Sequence, residues 1–470
     1  MLRRRGGDAM PGGPTVSGRV ERTMTLARAG SRAGRNYAAM SVGSAMASDE
    51  KKAELRSKFE LQTAEQVAET LGNMKGAVMK LGQMASYLDQ GLPEPVREVL
   101  AQLQSDAPPM SFDLVVGVVV AELGATPDEV FAEFDREPIA AASIGQVHRA
   151  MTHEGVEVAV KVQYPGVDEA IRADLANADL LFAAMGMMFP GMDPKPIVVE
   201  LRDRISEELD YVQEAAHQQR FADYYAGHPY IKVPRVLSEL STARVLTSEL
   251  AVGARWSEVL TWTQDERNLV AETLYRYVFT GLYRIGAFNG DPHPGNYLCS
   301  KDGTVVFLDY GLCKVFTPDE IESFAEMITA ICIEHDIPRF RRSVEDVGVL
   351  APGAAVTDEE VADYFAHFYE LVLEDTTMTI TAEYASETIR RFFDLAGPHA
   401  NVIKSVTLPS SMVIIQRINL GLYALFSELG ATGNWRRLAN EIWPFVSGPP
   451  ATPMGEAIAE WERASAAAVG

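Results

Sequence analysis

The chain has 470 residues, 47% of them hydrophobic and 23% charged, with 42 basic against 65 acidic side chains for a net charge of −23. That length accommodates roughly two to four domains, and the composition is globular, which excludes a disordered or fibrous chain. The acidity excludes nucleic acid as a partner held through phosphate contacts, whereas a polyphosphate remains bindable where a few cations and a metal are placed locally.

In chain order, residues 1–48 form a basic tail, expected to be disordered. Its first 40 residues hold eight arginines (Arg3, Arg4, Arg5, Arg19, Arg22, Arg28, Arg32, Arg35) against Asp8 and Glu21. A solvated tail, a mitochondrial transit peptide and a segment drawn to an anionic membrane surface are all compatible with that pattern. Residues 49–110 read as a helical extension. Val67, Leu71, Met74, Val78, Leu81, Ala85 and Leu88 follow a four–three spacing that predicts a long helix, ended by Gly91, Pro93 and Pro95. One or two further helices are expected over 112–134, split at Gly124 to Pro127.

Val156, Val158, Val160 and Val162 alternate with Glu157, Ala159, Lys161 and Gln163, the period of a strand. Helical sequence over 168–225 leads to short strands at 232–236 and 244–249. After Gly253 the chain reads as mainly helical, interrupted by a strand–turn–strand unit over 296–308 that turns at Lys301-Asp302-Gly303. Tyr364, Phe365, Phe368, Leu371 and Val372 share one face of a later helix. No apolar run approaches the roughly 18 residues of a membrane span, and residues 408–446 include Arg417, Glu428, Arg436 and Arg437. Three cysteines, Cys299, Cys313 and Cys332, are too few for a disulfide scaffold and lack metal-ligand spacing, which suits a reducing compartment.

Phosphoryl transfer asks a protein for positioning and charge neutralisation. Asn289-Gly290-Asp291-Pro292-His293-Pro294-Gly295-Asn296 sets an aspartate and an asparagine five apart, the spacing of a kinase catalytic loop. Phe307-Leu308-Asp309-Tyr310-Gly311 then carries an aspartate out of a hydrophobic strand into a glycine turn, where a metal-binding Asp-Phe-Gly segment would sit. Either alone reads as a polar turn; in order, across a hairpin of the right length, they point to metal-assisted phosphoryl chemistry. The motif needs no imidazole at His293, so that residue is expected to shape the loop. Ala159 and Lys161 share a strand face suited to a nucleotide, although a solvated edge lysine fits equally. On the acidic helix Glu207 to Glu214, Asp210 and Glu214 lie on one face and offer a partner for Lys161. The segment from Ile139 to Val147 stands where a glycine-rich loop would, with alanines in place of glycines, which restricts close backbone approach to phosphates.

Lys80-Leu81-Gly82-Gln83, the loop from Ala140 to Gln146, Glu208-Leu209-Asp210, Asn289 to Asn296 and Asp309-Tyr310-Gly311 together resemble the UbiB/AarF/ADCK family of atypical protein-kinase-like proteins over about residues 60–450. The resemblance implies an α+β, protein-kinase-like bilobal fold: a small mixed N-lobe over 111–250, a larger helical C-lobe over 251–470, and the helical extension across the active site. It implies ATP and Mg2+ as cofactors. Lys161 is similar to the phosphate-pairing lysine, Glu214 to its helix partner, Asp291 to the catalytic aspartate, and Asn296 and Asp309 to the metal ligands. Ala140, Ala141, Ala142, Ser143, Ile144, Gly145 and Ala159 would line the nucleotide, with Glu249 and Leu250 at the hinge. Lys80 and Gln83, and Glu208 and Asp210, match the two family motifs that face the nucleotide and block protein substrates.

What the resemblance implies is an atypical kinase or ATPase coupled to lipid and to isoprenoid quinone (ubiquinone-type) biosynthesis. Its expected partners are lipid or quinone intermediates, quinone-biosynthesis proteins and an anionic membrane. The expected location is cytoplasmic and peripheral to the membrane, or mitochondrial if the leader is a transit peptide. A nucleotide-gated lipid-binding scaffold and a small-molecule phosphotransferase of the aminoglycoside or choline kinase type are the competing readings.

Overall fold

The computed structural model describes residues 110–142, 144–167, 209–393, 397–407 and 409–469. The basic tail, the helix expected over 67–88 with Lys80 and Gln83, and positions Ser143 and Glu208 lie outside the described residues.

The described chain starts with α1 (Phe112–Leu123) and α2 (Pro127–Val130), the latter begun by a capping box of Thr126 and Glu129. The expected helical stretch then ends early. Phe131 leaves α2 with extended backbone (φ −117°, ψ 149°) and a fully buried ring. Glu133–Phe134 become β1, paired antiparallel with Met151 and Ala150. A strand this short has no periodicity to read.

Next come β2 (Ala140–Ala142), β3 (Gly145–Met151) and β4 (Glu157–Gln163). They are followed by α3 (Tyr211–Tyr224), β5 (Ile231–Lys232) and β6 (Val245–Glu249). A five-stranded sheet forms in the order β1-β3-β4-β6, with β2 on β3. The alternation read from the sequence sets the faces of β4. Val158, Val160 and Val162 are 0% exposed, each contributing about 1.5–3 kcal/mol of burial, and this sends Lys161 to the opposite face.

The larger helical region begins with α4 (Gln264–Thr280), started by a capping box of Thr263 and Glu266. A wide turn at Gly281–Ile285 extends it, and a Cβ at Gly281 would stand 2.9 Å from the Ala287 carbonyl, so only glycine fits that crossing. Four short strands follow: β7 (Ala287–Asn289), β8 (Tyr297–Cys299), β9 (Val305–Phe307) and β10 (Cys313–Val315). The β8–β9 hairpin matches the sequence expectation. The antiparallel β7–β10 pair and the parallel β5–β9 pair were not legible there: β7 and β10 are too short to carry a pattern, and β5, which falls at the start of the strand expected over 232–236, joins a partner far along the chain. Helices α5 (Pro318–Ile328), α6 (Ile337–Asp346), α7 (Asp358–Leu373), α8 (Ser410–Leu429), α9 (Trp435–Ile442) and α10 (Pro453–Val469) contribute most of the remainder. The architecture is therefore α+β, a small sheet with a larger helical region. Among the described residues no helix is long and apolar enough to cross a membrane.

Two compact units divide the chain. The larger holds residues 115–140, 147–162 and 210 onward. In the smaller, Gln146 Oε1 accepts from the Met110 amide at 2.8 Å, the Tyr164 amide donates to the Ile144 carbonyl at 2.9 Å, and Gln163 Nε2 donates to the Leu209 carbonyl at 2.9 Å.

His228 fixes the entry to β5 and makes a prediction. Its Nδ1 accepts from the amides of Ile231 (2.8 Å) and Tyr230 (3.2 Å), and its ring is 2% exposed against Trp461 and Tyr225. Burial, then the charges of Lys232 and Arg276, lower its pKa to about 3. Below the ordinary value of 6.5 the unfolded chain binds a proton that the folded chain refuses, so stability falls as pH drops from 6.5 toward 3. Between pH 7 and pH 5 this one group removes about 2 kcal/mol. Urea unfolding at both pH values shows a correspondingly smaller loss in His228→Asn; equal losses in the two proteins would refute the assignment.

Candidate active site

The side chains discussed next all belong to the larger unit. Three local structures deliver them. Strand β4 aims Lys161 away from its buried valines. Asp210 caps α3, accepting from the Val212 amide at 3.0 Å, and thereby sets Glu214 one turn in. The β8–β9 hairpin then carries the Asn289–Asn296 loop at one end and Asp309 at the other.

Lys161 Nζ donates to both carboxylate oxygens of Glu214, at 2.7 and 2.9 Å, and lies 3.8 Å from Asp309 Oδ2. It also sits 4.9 Å above the Tyr211 ring. Glu214 is 3% exposed, Lys161 17% and Asp309 33%, so the pair is closed on the glutamate side and open toward Asp309. Burial by itself would lower the Lys161 ammonium. The Glu214 and Asp309 carboxylates outweigh it and hold the ammonium well above its usual value, so it is charged at any physiological pH.

The loop is braced from within. Asn296 Nδ2 donates to Asp291 Oδ2 at 3.0 Å and to the Asp291 carbonyl at 3.2 Å. The exposed His293 accepts the Gly295 amide on Nδ1 at 3.0 Å and caps the turn Pro294–Asn296, the loop-shaping part expected of it. Asn289 Nδ2 donates to the Asp309 carbonyl at 2.5 Å, and the Gly290 amide donates to the Leu312 carbonyl at 2.6 Å, tying the loop to the segment that carries Asp309. Asp309 Oδ1 accepts from the Gly311 amide at 3.0 Å, leaving Oδ2 toward Lys161. Beneath, the fully buried Tyr310 shares a 3.0 Å hydroxyl contact with Tyr277, whose ring stacks on Phe307 at 3.5 Å between centroids. That hydroxyl pair is where a tyrosine differs from the phenylalanine usual at this point of a kinase.

Lys161, Glu214 and Asp309 thus meet, as do Asp291 and Asn296. Ala159 lies on the Lys161 face of β4, opposite Ser248. Glu249 pairs with Val158, its carboxylate accepts the Arg235 amide at 3.0 Å, and the Leu250 amide donates to the Glu157 carbonyl at 2.9 Å. Asp210 is occupied as a helix cap. Ala140, Ala141 and Ala142 form β2 and Gly145 opens β3, while Ala141, Ala142, Ile144 and Gly145 fall in the smaller unit.

Two features went unread in the sequence. Asn289 was part of the loop motif with no part of its own. Gly421, in the middle of α8, approaches the loop so closely that a Cβ there would stand 2.1 Å from Pro292 Cγ; its only trace in the sequence is a glycine inside a helix, a cost of about 1 kcal/mol that signals close packing.

Chemically, the set offers a fixed ammonium for a polyanion and hard oxygen donors for a small divalent cation. Among the described residues no three acidic, His or Cys side chains cluster as a metal cage. Mg2+ needs none, because it is usually held by one or two side-chain oxygens together with substrate phosphates and water. The amide oxygen of Asn296 and the carboxylate of Asp309 fit that demand.

Residues 102–343 match the ABC1 atypical kinase-like domain. The chain is 34% identical over 270 residues to the mitochondrial atypical kinase COQ8B of Rattus norvegicus, covering 57% of this chain and 51% of that protein, so it spans about half the length of that relative. It is 27% identical over 393 residues to the mitochondrial atypical kinase COQ8 of Saccharomyces cerevisiae, covering 81% and 76%. The Mycobacterium tuberculosis protein Rv3197, solved as a complex with erythromycin, superposes with a TM-score of 0.62 at 30% identity over 85% of this chain and 100% of that one. The chain belongs to the ABC1 atypical kinase-like family, the UbiB/AarF/ADCK group that its motifs resemble.

Proposed function

We propose that this chain binds Mg-ATP and either hydrolyses it or transfers its γ-phosphoryl group. The observation that carries the reading is the Lys161 ammonium held at 2.7 and 2.9 Å by buried Glu214 and at 3.8 Å by Asp309. An ammonium so fixed pairs phosphates without a reorganisation cost, and the nearby carboxylate and amide oxygens complete a site for a phosphate-bound cation. In this reading Lys161 pairs the nucleotide phosphates and Glu214 orients it. Asn296 and Asp309 would hold Mg2+, which would supply charge neutralisation at the phosphates, and Asp291 would receive the proton of the attacking hydroxyl or water. Ala159, with Glu249 and Leu250 at the strand edge, meets the base. The loop Ala140–Gly145, Glu208, Asp210, Lys80 and Gln83 are assigned to the nucleotide site by motif match. The proposed lobes are 111–250 and 251–470, with 49–110 as the extension.

Coupling to lipid and to isoprenoid quinone biosynthesis, peripheral contact with an anionic membrane, and a mitochondrial or cytoplasmic location belong to the same proposal and rest on family membership. The test is magnesium-dependent ATP turnover by purified protein, with and without anionic liposomes, beside Asp309→Asn. We expect turnover that rises with lipid and drops at least about a hundredfold in the variant, the scale of losing one charge-stabilising group. Equal turnover in both proteins would sink the assignment of Asp309. Tight nucleotide binding without turnover in any condition would favour the gated scaffold.

A further inference from the structure

Behind the segment that carries Asp309, a run of polar groups crosses an aromatic cluster. Tyr277, on α4, is 3% exposed and Tyr310 is 0% exposed. Phe221 of α3 lies against both rings, at 5.6 and 5.3 Å between centroids, and the Tyr277 ring stacks on Phe307. The Tyr277 hydroxyl donates to the Tyr310 hydroxyl at 3.0 Å and accepts from Asn289 Nδ2 at 3.5 Å. Burial, then Tyr310 and Cys313, push the Tyr277 phenol well above its ordinary pKa, so it keeps the proton that it donates. Asn289, the last residue of β7, continues the run. Its Nδ2 also donates to the Asp309 carbonyl at 2.5 Å, and its Oδ1 accepts from the Asp291 amide at 3.3 Å.

The direction of these bonds has a consequence at Asn289. With its own proton given to Tyr310, Tyr277 presents a lone pair, and only the NH2 end of the carboxamide can meet it. The amide oxygen is then left for the Asp291 amide. A carboxamide turned the other way would set its oxygen against the Asp309 carbonyl oxygen. The hydroxyl pair adds little to the core by itself, since two phenylalanines would fill the same space at nearly equal stability. Its polar end is Asn289, which touches the main chain of both Asp291 and Asp309.

We propose that Tyr277 is a positioning residue for the divalent cation: its hydroxyl orients the Asn289 carboxamide, and Asn289 fixes the main chain from which the Asp309 carboxylate reaches the metal. Tyr277 acts through Asn289 and touches neither cation nor nucleotide. The inference rests on the proposed reading of Asp309 as a Mg2+ ligand and names the group that sets its place.

The test is equilibrium binding of AMP-PNP, a non-hydrolysable ATP analogue, to the full chain with and without Mg2+, which reads the metal without turnover. In wild type Mg2+ tightens binding. In Tyr277→Phe that tightening shrinks at least about threefold, the scale of one hydrogen bond, while the Mg2+-free constant stays the same. The thermal midpoint falls by about 2 °C, because the Tyr310 hydroxyl is left buried without its donor. Tyr310→Phe shows a comparable midpoint loss but keeps the full Mg2+ effect, since Asn289 still meets Tyr277. Tyr277→Phe/Tyr310→Phe regains the midpoint and keeps the weakened Mg2+ effect. The double variant therefore separates positioning from packing, and it is the one read if a single variant folds poorly. A double variant with the wild-type Mg2+ effect, or a Tyr310→Phe protein as impaired in it as Tyr277→Phe, would overturn the role of Tyr277. A wild type that binds no nucleotide, or shows no Mg2+ effect, would instead overturn the reading of Asp309 and this inference with it.

Discussion

Replacing Lys161 with methionine is expected to lower magnesium-dependent ATP turnover by at least about a hundredfold and to destabilise the fold by about 3 kcal/mol. The two losses have different origins. Activity falls because the ammonium 3.8 Å from Asp309 no longer meets the phosphates. Stability falls because Glu214, at 3% exposure, is left buried without the cation that held it at 2.7 Å. A double variant separates them: Lys161→Met with Glu214→Leu removes the buried charge and recovers most of the stability, yet stays inactive. Turnover and urea unfolding on wild type, single and double variants decide the point. A double variant as unstable as the single would show that the ion pair is not the source of the stability loss, and an active single variant would remove Lys161 from the site.

The second large effect is expected at a residue that touches no substrate. By helix propensity alone, Gly421→Ala in the middle of α8 should stabilise the chain by about 1 kcal/mol. The added Cβ would stand 2.1 Å from Pro292 Cγ, and a proline ring in a braced loop has no rotamer to escape into. The loop must shift, taking Asp291 with it. A displacement near 1 Å at the reacting groups costs on the order of a hundredfold in rate, so under the proposed function turnover is expected to drop sharply while ATP affinity, assigned there to Lys161 and the strand edge, changes little. Combining the change with Pro292→Ala removes the clashing ring atom and restores part of the rate. A Gly421→Ala protein with wild-type turnover would mean that the loop is free to move without penalty.

The parts of this site that were legible in the sequence are those whose side chains follow a period or a spacing. Alternation put Lys161 on its strand face, and the five-residue interval of Asp291 and Asn296 and the short hairpin before Asp309 predicted the loop and its turn. What stayed invisible depends on contacts between distant segments. Asn289 clasps the Asp309 carbonyl, Tyr277 reaches Tyr310, Gly421 meets Pro292, and β5 joins β9 in parallel. No local pattern encodes such pairings, even where the strands themselves were expected.

The parallel pairing of Ile231–Lys232 with Val305–Val306 also bears on how the molecule comes to exist during synthesis. Non-local pairings form late, since the closure entropy of the intervening chain is lost before any contact compensates. Asp309 lies just beyond the far partner of that pairing. Residues up to 300 contain both members of the Lys161–Glu214 pair, whereas the carboxylate that completes the trio follows β9. The site thus joins an ion pair drawn from the earlier part of the described chain to a carboxylate placed by a pairing of distant segments, and a truncation before residue 309 removes that carboxylate while leaving both partners of the pair in the chain.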